Sequence, residues 1–255
     1  MFIPRELLQN LAMGVGPIRR AAQTRHRTGV QQDPQRGKEL FDALIAMTGE
    51  LGASSVLELG PGRGRGLMDA AIGHVGSYAA FDVEPYMDAR ELARSGIDYR
   101  IDASGRLPWD VGTFDVVWSH SVFEHLRDPG ATLDEIHRVL KPGGLHIADI
   151  DLQDHYGDRT DPESMFGFLR YSERLWRAMT SHRSSYCNRL RISDWRSEFD
   201  VHGFESVAES RREVGVSERE LRAIPYLAHL TTEDLLTAGA TMVSRRREQA
   251  ARPGS

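Results

Sequence analysis

The sequence is short of cysteine and of long apolar runs, and each shortage excludes a class of protein. Cys187 is the single cysteine among 255 residues, so no internal disulfide can form. A lone thiol is usual in a reducing cytoplasm, and we expect Cys187 to be structural rather than a nucleophile. No segment approaches the roughly 20 consecutive apolar residues of a membrane span. Residues 1–6 lack the basic and apolar regions of a secretory signal, so we expect a cytoplasmic protein without a membrane partner.

Positive charge is not in excess either. The chain has 32 lysines and arginines against 37 aspartates and glutamates, which gives a formal net charge of -5. This balance provides no general attraction to nucleic acid, so we expect no nucleic-acid partner. Hydrophobic residues make up 40% of the chain, which at this length is enough to bury the core of one α/β domain with additions.

An apolar strand that runs into alternating glycines is the most informative motif. Residues 56–59 read as a strand, and Gly60, Gly62 and Gly64 follow it. Such glycines let the chain turn sharply and leave no Cβ to keep a ligand off the backbone. Their spacing differs from that of a dinucleotide loop, and the carboxylate of Glu58, expected to be ionised, disfavours phosphate here. Taken alone, the loop could equally be a tight packing turn.

The next predicted strand, residues 77–81, ends in an acidic residue. Asp82 comes 18 residues after Gly64. A carboxylate about 20 residues beyond the glycine loop is the ribose-binding position of a doubly wound fold. We therefore favour Asp82, with Val83 beside it, over Glu84, which should point to the other side of the strand end.

Three more predicted strands follow in order. Residues 97–101 stop at Asp102 and Ala103, where a carboxylate could accept a hydrogen bond from an adenine amine or could simply be solvated. Residues 114–118 lead to Ser119. Residues 145–150 follow a Lys-Pro-Gly-Gly turn, so the pattern alternates strands and helices as a parallel sheet requires.

Five sequence pieces in unbroken order resemble the class I S-adenosylmethionine-dependent methyltransferases. They are E-L-G-P-G-R-G, F-D-V-E-P-Y-M, D-A-S-G-R-L-P-W, F-D-V-V-W-S-H-S-V-F-E-H-L and E-I-H-R-V-L-K-P-G-G-L, and they cover residues 54–150. The resemblance implies a Rossmann-like α/β fold: a seven-stranded, mostly parallel sheet flanked by helices, with an antiparallel strand near one edge. It also implies S-adenosyl-L-methionine as cofactor and S-adenosyl-L-homocysteine as product.

The same resemblance implies a role for each motif. The three glycines of the loop would line the methionine part of the cofactor, with Glu58 close to it. Asp82 and Val83 would hold the ribose. Asp102 and Ala103 would border the adenine, and Ser119 would lie beside the transferring methyl group.

The remaining chain predicts additions around this core. We expect an N-terminal helical arm with the first core helix (1–50), the cofactor-binding core (51–150), an acceptor-binding insert (151–200), the last two strands with a helix (201–247) and a flexible tail (248–255). The arm could close over the ligands or could be a solvated basic segment. The first core helix is placed at 38–52, the last strands at 204–214 and 240–245, and their connecting helix at 217–223 or 232–237.

The insert is the predicted acceptor site. Residues 166–179 have helical apolar spacing, with aromatic residues that are more often core than substrate contacts. Residues 188–191 and Trp195 combine hydrogen-bond donors with an aromatic plate, as a sugar-like or heteroaromatic acceptor requires. The segment loosely resembles acceptor-binding additions in methyltransferases of glycan and natural-product pathways.

Methyl transfer asks mainly for an in-line approach held by positioning, but a hydroxyl nucleophile also needs a base. His155 is the preferred candidate, oriented by Asp151 or Asp154. His125 is the second candidate and His120 the third. His155 could also be a loop histidine without a chemical role.

Three functions remain open at this stage. The first is methyl transfer to a small-molecule oxygen of a saccharide or secondary metabolite. The second is transfer to nitrogen, to carbon or to a macromolecule, although no Asn/Asp-Pro-Pro-Tyr/Phe motif of base-modifying enzymes follows the fourth strand. The third is cofactor binding without turnover. No cluster with metal-ligand spacing is visible in the sequence, so we expect no metal, and we expect a monomer or homodimer.

Overall fold

The computed structural model describes residues 34–49, 51–180 and 186–248. Its strands are β1 (Ser55–Leu59), β2 (Ser77–Asp82), β3 (Ile97–Ile101), β4 (Phe114–His120), β5 (Leu140–Asp151), β6 (Phe204–Glu213) and β7 (Thr237–Arg246). Its helices are α1 (Pro34–Thr48), α2 (Gly66–Ala71), α3 (Ala89–Arg94), α4 (Pro129–Val139), α5 (Glu173–Met179), α6 (Ile192–Val201), α7 (Glu218–Arg222) and α8 (Thr232–Leu236). Short 3₁₀ turns cover Phe123–His125, Gly167–Arg170 and Pro225–Leu227.

The strands form one seven-stranded sheet in the order β3-β2-β1-β4-β5-β7-β6. Strands β1 to β5 pair in parallel, whereas β7 runs antiparallel to both β5 and β6. The predicted Rossmann-like sheet is therefore confirmed. The strand order reverses between β1 and β4, and ligands of such sheets bind at the carboxyl ends of the strands at this point.

Both faces of the sheet are buried, which explains the continuous apolar runs of its central strands. Leu57 and Val117 belong to one core cluster, together with residues of α4 and α6. Their neighbours Val56 and Trp118 belong to the cluster on the other face, which includes residues of α1 and α2. Successive residues thus alternate between two cores, and the sheet provides a rigid platform for the side chains at its edge.

A third apolar cluster joins the insert to the segment before β7. Its members are Met165, Phe166, Phe168, Trp176, Tyr186, Cys187, Leu221, Ile224, Leu227 and Leu235. The aromatic residues at 166–179 are therefore core residues. The predicted helix over this stretch is divided into a 3₁₀ turn and α5, because the side chain of Ser172 caps α5 by accepting from the backbone N–H of Leu175.

Other predicted boundaries differ modestly. Strand β4 extends to His120, so Ser119 lies inside the strand rather than after it. The first core helix is α1, which begins and ends four residues before the predicted range 38–52. Both candidate connecting helices, α7 and α8, are present. The predicted arm before residue 34 and the tail after residue 248 lie outside the described residues. Within the described ranges, no helix has the length and apolarity needed to cross a membrane.

Candidate active site

The loop after β1 contains two glycines with left-handed backbone. Gly60 has φ +65° and Gly62 has φ +61°. A Cβ on Gly60 would come within 2.6 Å of Cγ2 of Val122, which lies on the segment after β4. Glycine is therefore required at Gly60 both by the backbone angle and by the close approach of Val122. The loop and the end of β4 are packed directly against each other.

Glu58 is buried in β1 and bonded to protein groups. The hydroxyl of Tyr78 donates to its Oε2, and Nε1 of Trp118 donates to the Tyr78 hydroxyl at 3.2 Å. Burial, reinforced by nearby Asp82, raises the pKa of Glu58 to about 8 against the opposing hydrogen bond from Tyr78. This raised pKa favours the protonated form of Glu58 at neutral pH, whereas the sequence alone predicts an ionised carboxylate. The physical reason is its place on a central strand with only 4% of its surface exposed.

Asp82 ties the glycine loop to two strands. Its Oδ2 accepts from the backbone N–H of Gly62 at 3.2 Å and from the Tyr99 hydroxyl at 3.0 Å. Burial raises its pKa to about 7 in spite of these bonds. Val83 is half-buried, whereas Glu84 is exposed. Sequence reasoning missed Tyr99, although the alternation along β3 could have placed it on the same side of the sheet as Asp82.

The other predicted cofactor residues lie at the same edge. The backbone N–H of Asp102 donates to the Asp82 carbonyl at 3.1 Å, and its Oδ1 accepts from Ser104 N–H at 2.8 Å, which lowers its pKa. Ala103 is exposed. Ser119 is buried in register with Leu59 of β1, and its hydroxyl has no hydrogen-bond partner among the residues that the structure describes. Contacts of these residues with a cofactor stay a prediction.

A histidine–aspartate pair lies near the carboxyl ends of β4 and β5. His120 lies directly opposite Asp149 in the sheet, and its Nδ1–H donates to Oδ2 of Asp149 at 2.6 Å. Oδ1 of Asp149 accepts from Arg212 of β6 at 2.5 Å and from Thr241 of β7 at 2.8 Å. Burial alone would raise the pKa of Asp149, but His120 and Arg212 hold it well below its usual range. The aspartate is therefore charged and held from three strands.

The backbone next to this pair is strained. Ser121 has φ +53°, which is uncommon for a residue with a Cβ. Its N–H donates to the Asp149 carbonyl at 2.9 Å, so the bond to β5 holds the unusual angle. Strain of this kind concentrates at functional sites. His120 was the weakest of the three sequence candidates, yet it has the best-oriented imidazole.

The preferred candidate, His155, also has an aspartate neighbour. Its Nε2 lies 3.3 Å from Oδ2 of Asp151, and Arg159 contacts the same oxygen at 2.5 Å. Although burial opposes it, these neighbours lower the pKa of Asp151 to about 2. Of the two predicted orienting residues, Asp151 is therefore the one in contact. Asp154 instead accepts from the backbone N–H of Tyr156 at 2.9 Å.

His125, the second sequence candidate for the base, and the single cysteine lie next to His155. The rings of His125 and His155 have centroids 4.9 Å apart, and Nδ1–H of His125 donates to the Tyr186 carbonyl at 2.8 Å. Cys187 Sγ lies 4.0 Å from the same Nδ1. One ligand atom from each of His125, His155 and Cys187 lies within 4.8 Å of the other two. Burial raises the pKa of the Cys187 thiol, as expected for a structural cysteine.

The donors predicted to bind an acceptor face the protein instead. Arg191 is buried and donates to the carbonyls of Leu152, Asp234 and Thr237, and burial lowers its pKa to about 10. Trp195 of α6 is fully buried in the hydrophobic core. The prediction of an aromatic plate and a free donor at these two positions is wrong, because backbone carbonyls occupy the Arg191 guanidinium and the Trp195 ring packs among core residues.

Asn188 and Arg189 also donate to backbone carbonyls of the protein. The amide of Asn188 donates to the carbonyls of Phe123 and Leu126 at 2.6 and 3.2 Å. Arg189, which also has left-handed backbone at φ +68°, donates to the carbonyls of Phe168 and Tyr171. These side chains hold the insert against the 3₁₀ turn that contains His125.

Comparison with known proteins shows what the part of the chain around the predicted cofactor residues is similar to. Residues 57–148 match a methyltransferase domain. The ubiquinone/menaquinone biosynthesis C-methyltransferase UbiE of Desulfotalea psychrophila is 32% identical over 105 residues, 40% of this chain and 43% of that protein. A ubiquinone biosynthesis O-methyltransferase of Parvibaculum lavamentivorans is 35% identical over 85 residues, 32% of this chain and 34% of that protein. The chain thus spans less than half the length of these two relatives.

A similar fold is found in a solved structure that covers more of the chain. The S-adenosylmethionine dependent methyltransferase of Mesorhizobium loti has a TM-score of 0.58 at 18% sequence identity, and the match covers 86% of this chain and 100% of that one. At this identity the likeness concerns the fold alone.

Proposed function

We propose, since this chain contains a methyltransferase domain with the class I fold, that it transfers a methyl group from S-adenosyl-L-methionine to an oxygen of a small molecule. A saccharide or a secondary metabolite is the acceptor class that we favour. The observation that carries the proposal is the His120–Asp149 pair at the carboxyl edge of the sheet. It provides an oriented base, which a hydroxyl acceptor needs and a sulfonium donor does not supply.

The residues at the sheet edge fit the cofactor. Gly60 and Gly62 keep the loop free of side chains on a left-handed turn, and Asp82, which holds this loop through Gly62, would accept hydrogen bonds from a ribose. The buried hydroxyl of Ser119 lacks a hydrogen-bond partner in the described part of the chain, as expected of a group that awaits a ligand. Glu58, being neutral and bonded to Tyr78, would act as a hydrogen-bonding group rather than as a fixed anion.

His120 is well placed relative to the glycine loop. Trp118 lies in register with Glu58, and His120 follows two positions later on the same face of the sheet. Its side chain is 17% exposed, so the imidazole is held by the protein and still open on one side. The proposed site therefore combines the loop after β1 with the end of β4.

The proposed mechanism divides the work between cofactor and protein. When bound, S-adenosyl-L-methionine supplies the activated methyl group and its own leaving group. Asp149 accepts from Nδ1–H of His120 and so selects the tautomer whose Nε2 carries the lone pair. Nε2 takes the proton of the acceptor hydroxyl, and the adjacent charge of Asp149 stabilises the imidazolium that forms. Arg212 and Thr241 keep the aspartate in place.

The predicted catalytic set of His155, Asp151 and His125 remains a second candidate for the base. The 3.3 Å contact between His155 and Asp151 favours it. This pair is less well aligned than His120 and Asp149, because Nε2 of His155 forms no well-directed hydrogen bond with the described residues.

Two matched substitutions test the proposal. Hydroxyl-bearing saccharides and secondary metabolites are screened for release of S-adenosyl-L-homocysteine, and the methylated atom of the product is found by NMR. With an acceptor in hand, we expect His120→Gln to lower kcat about 10²- to 10⁴-fold while calorimetry shows unchanged cofactor affinity. His155→Gln should have a much smaller effect.

Each contrary result identifies another of the three functions. A larger loss of kcat with His155→Gln than with His120→Gln would identify His155, paired with Asp151, as the base. A methyl group on nitrogen or carbon of the product would overturn the choice of oxygen. Tight cofactor binding without turnover in a broad screen would favour a non-catalytic cofactor-binding protein.

A further inference from the structure

We propose that His125, His155 and Cys187 bind a zinc ion, next to the buried carboxyl group of Glu124. Three ligand atoms, one from each of the first three residues, already lie within 4.8 Å of one another. With Zn–N near 2.0 Å and Zn–S near 2.3 Å, tetrahedral ligands lie about 3.3 to 3.6 Å apart, so the groups need to close by roughly 1 Å.

Both histidines have the outer contacts that metal-binding histidines require. Nδ1–H of His125 donates to the Tyr186 carbonyl at 2.8 Å, which leaves the lone pair of the neutral ring on Nε2. His155 lies beside Asp151, which Arg159 holds in turn. A backbone carbonyl and a carboxylate are the two usual partners that orient a ligating imidazole. With one ring nitrogen held in this way, the other nitrogen of each imidazole can point at a metal ion.

Glu124 provides an independent reason to expect a cation here. Only 3% of Glu124 is exposed, and neither carboxyl oxygen makes a hydrogen bond of good geometry with the described residues, although the backbone N–H groups of Glu124 and Asp151 lie close by. It acts electrostatically on Cys187 and on Asp151, so it lies beside the cluster. A buried carboxyl group with such weak partners is costly, and a nearby divalent cation would stabilise it.

The ligand types favour zinc over hard cations. Magnesium and calcium prefer oxygen ligands, whereas two imidazoles and a thiolate suit a borderline-soft ion such as Zn²⁺. The site would have three protein ligands, with the fourth tetrahedral position open to another group. It would join three segments: the 3₁₀ turn after β4, the loop after β5 and the strand-like segment before α6. Zinc would therefore clamp the insert onto the edge of the sheet. As a ligand, His155 would not be the base, which agrees with the choice of His120.

Metal binding is measured on the full chain without affinity tag, acceptor or cofactor. We expect one equivalent of tightly bound Zn²⁺ by mass spectrometry after dialysis. Cobalt titration of the metal-free protein should give the visible bands of tetrahedral Co²⁺ and a near-ultraviolet cobalt–thiolate charge-transfer band. Cys187→Ser should abolish the charge-transfer band, and Glu124→Gln should weaken zinc binding about tenfold or more. The control His229→Ala, at an exposed histidine, should bind as the wild type does.

Substoichiometric zinc, or a cobalt spectrum without a thiolate band, would overturn the site in the wild-type protein itself. The outcome therefore does not depend on whether Cys187→Ser folds, which circular dichroism would report. Since no methyl transfer is measured, failure of the metal site leaves the proposed activity untouched. Conversely, a zinc-loaded protein without turnover would refute the activity alone.

Discussion

Glu58 shows how burial changes the charge of a single residue that the sequence presents as an anion. The carboxyl group bonds to Tyr78, and its pKa is raised from 4.5 to about 8. The folded chain therefore holds a proton that the unfolded chain releases above its ordinary pKa. Stability from this group is fully present below about pH 4.5 and is lost as the pH rises through 8.

We expect the free energy of unfolding of the ligand-free protein to fall between about pH 5 and pH 8 through Glu58. The maximum slope for one group is about 1.4 kcal/mol per pH unit. Glu58→Gln should flatten this slope, as measured by urea unfolding at several pH values. The control Glu205→Gln, at an exposed residue, should keep the wild-type slope. Parallel pH profiles for wild type and Glu58→Gln would show that Glu58 is ionised when folded.

Substitution of Arg191 can distinguish between two roles for this residue: support of the insert and binding of an acceptor. Its guanidinium donates to three backbone carbonyls and lies 4.4 Å from the ring centroid of Phe166. We expect Arg191→Met to lower stability by about 2 to 4 kcal/mol, because buried carbonyls lose their donors. Thermal unfolding measures this loss. A stable variant with only a raised KM for the acceptor would restore the original prediction that Arg191 binds substrate.

At the scale of elements, the loop after β1 and the segment after β4 act as one unit. Gly60 has a positive φ, and Val122 occupies the space where a Cβ would lie. The paired ends of β4, β5 and β7 carry His120, Asp149 and Thr241 in one row across the sheet. Cofactor loop and proposed base are thus positioned by neighbouring strand ends.

We expect Gly60→Ala to destabilise the protein by about 1 to 3 kcal/mol through backbone strain and overlap with Val122. Adding Val122→Ala should recover the part due to overlap and leave the part due to the backbone. A double-mutant cycle by chemical unfolding separates the two contributions. If Val122→Ala gave no recovery, the two segments would not be in the contact described.

At the scale of the whole molecule, the third apolar cluster makes the insert part of the folded body. Residues 165–176, 186 and 187 of the insert share this cluster with residues 221–235, which precede β7. The segment before α6 is fastened at two points: by Arg191 against the residues before β7 and by the His125–Cys187 neighbourhood at the sheet edge. The zinc ion that we propose would lie in that second attachment.

Much of the fold could be predicted because its signals are local. Apolar strands of five to seven residues, glycines after β1 and acidic residues at the ends of β2 and β3 can each be read within a short window. Their order along the chain then limits the topology to the doubly wound sheet. Boundaries were less accurate, as α1 and β4 show, because capping and pairing extend or shorten an element by a few residues.

The candidate site was predicted only in part for the opposite reason. Ser119 and Asp82 follow the strands predicted from the sequence and so could be placed at the sheet edge. The pairing of His120 with Asp149 depends on the register of two strands 29 residues apart, and Arg212 reaches the same carboxyl from 63 residues away. No spacing in the sequence reveals such contacts. The same is true of His125, His155 and Cys187, which only the folded insert brings together.

The sequence by itself determined the alternation of strands and helices, the glycine loop and the carboxylates at the strand ends, because these depend on short-range patterns of burial and backbone conformation. Only the tertiary structure decided that Glu58 holds a proton, that the polar residues before α6 support the insert and that His120 faces a fixed aspartate. Each of those outcomes depends on which groups lie nearby in space and how far water is excluded, and neither is contained in the order of residues along one segment.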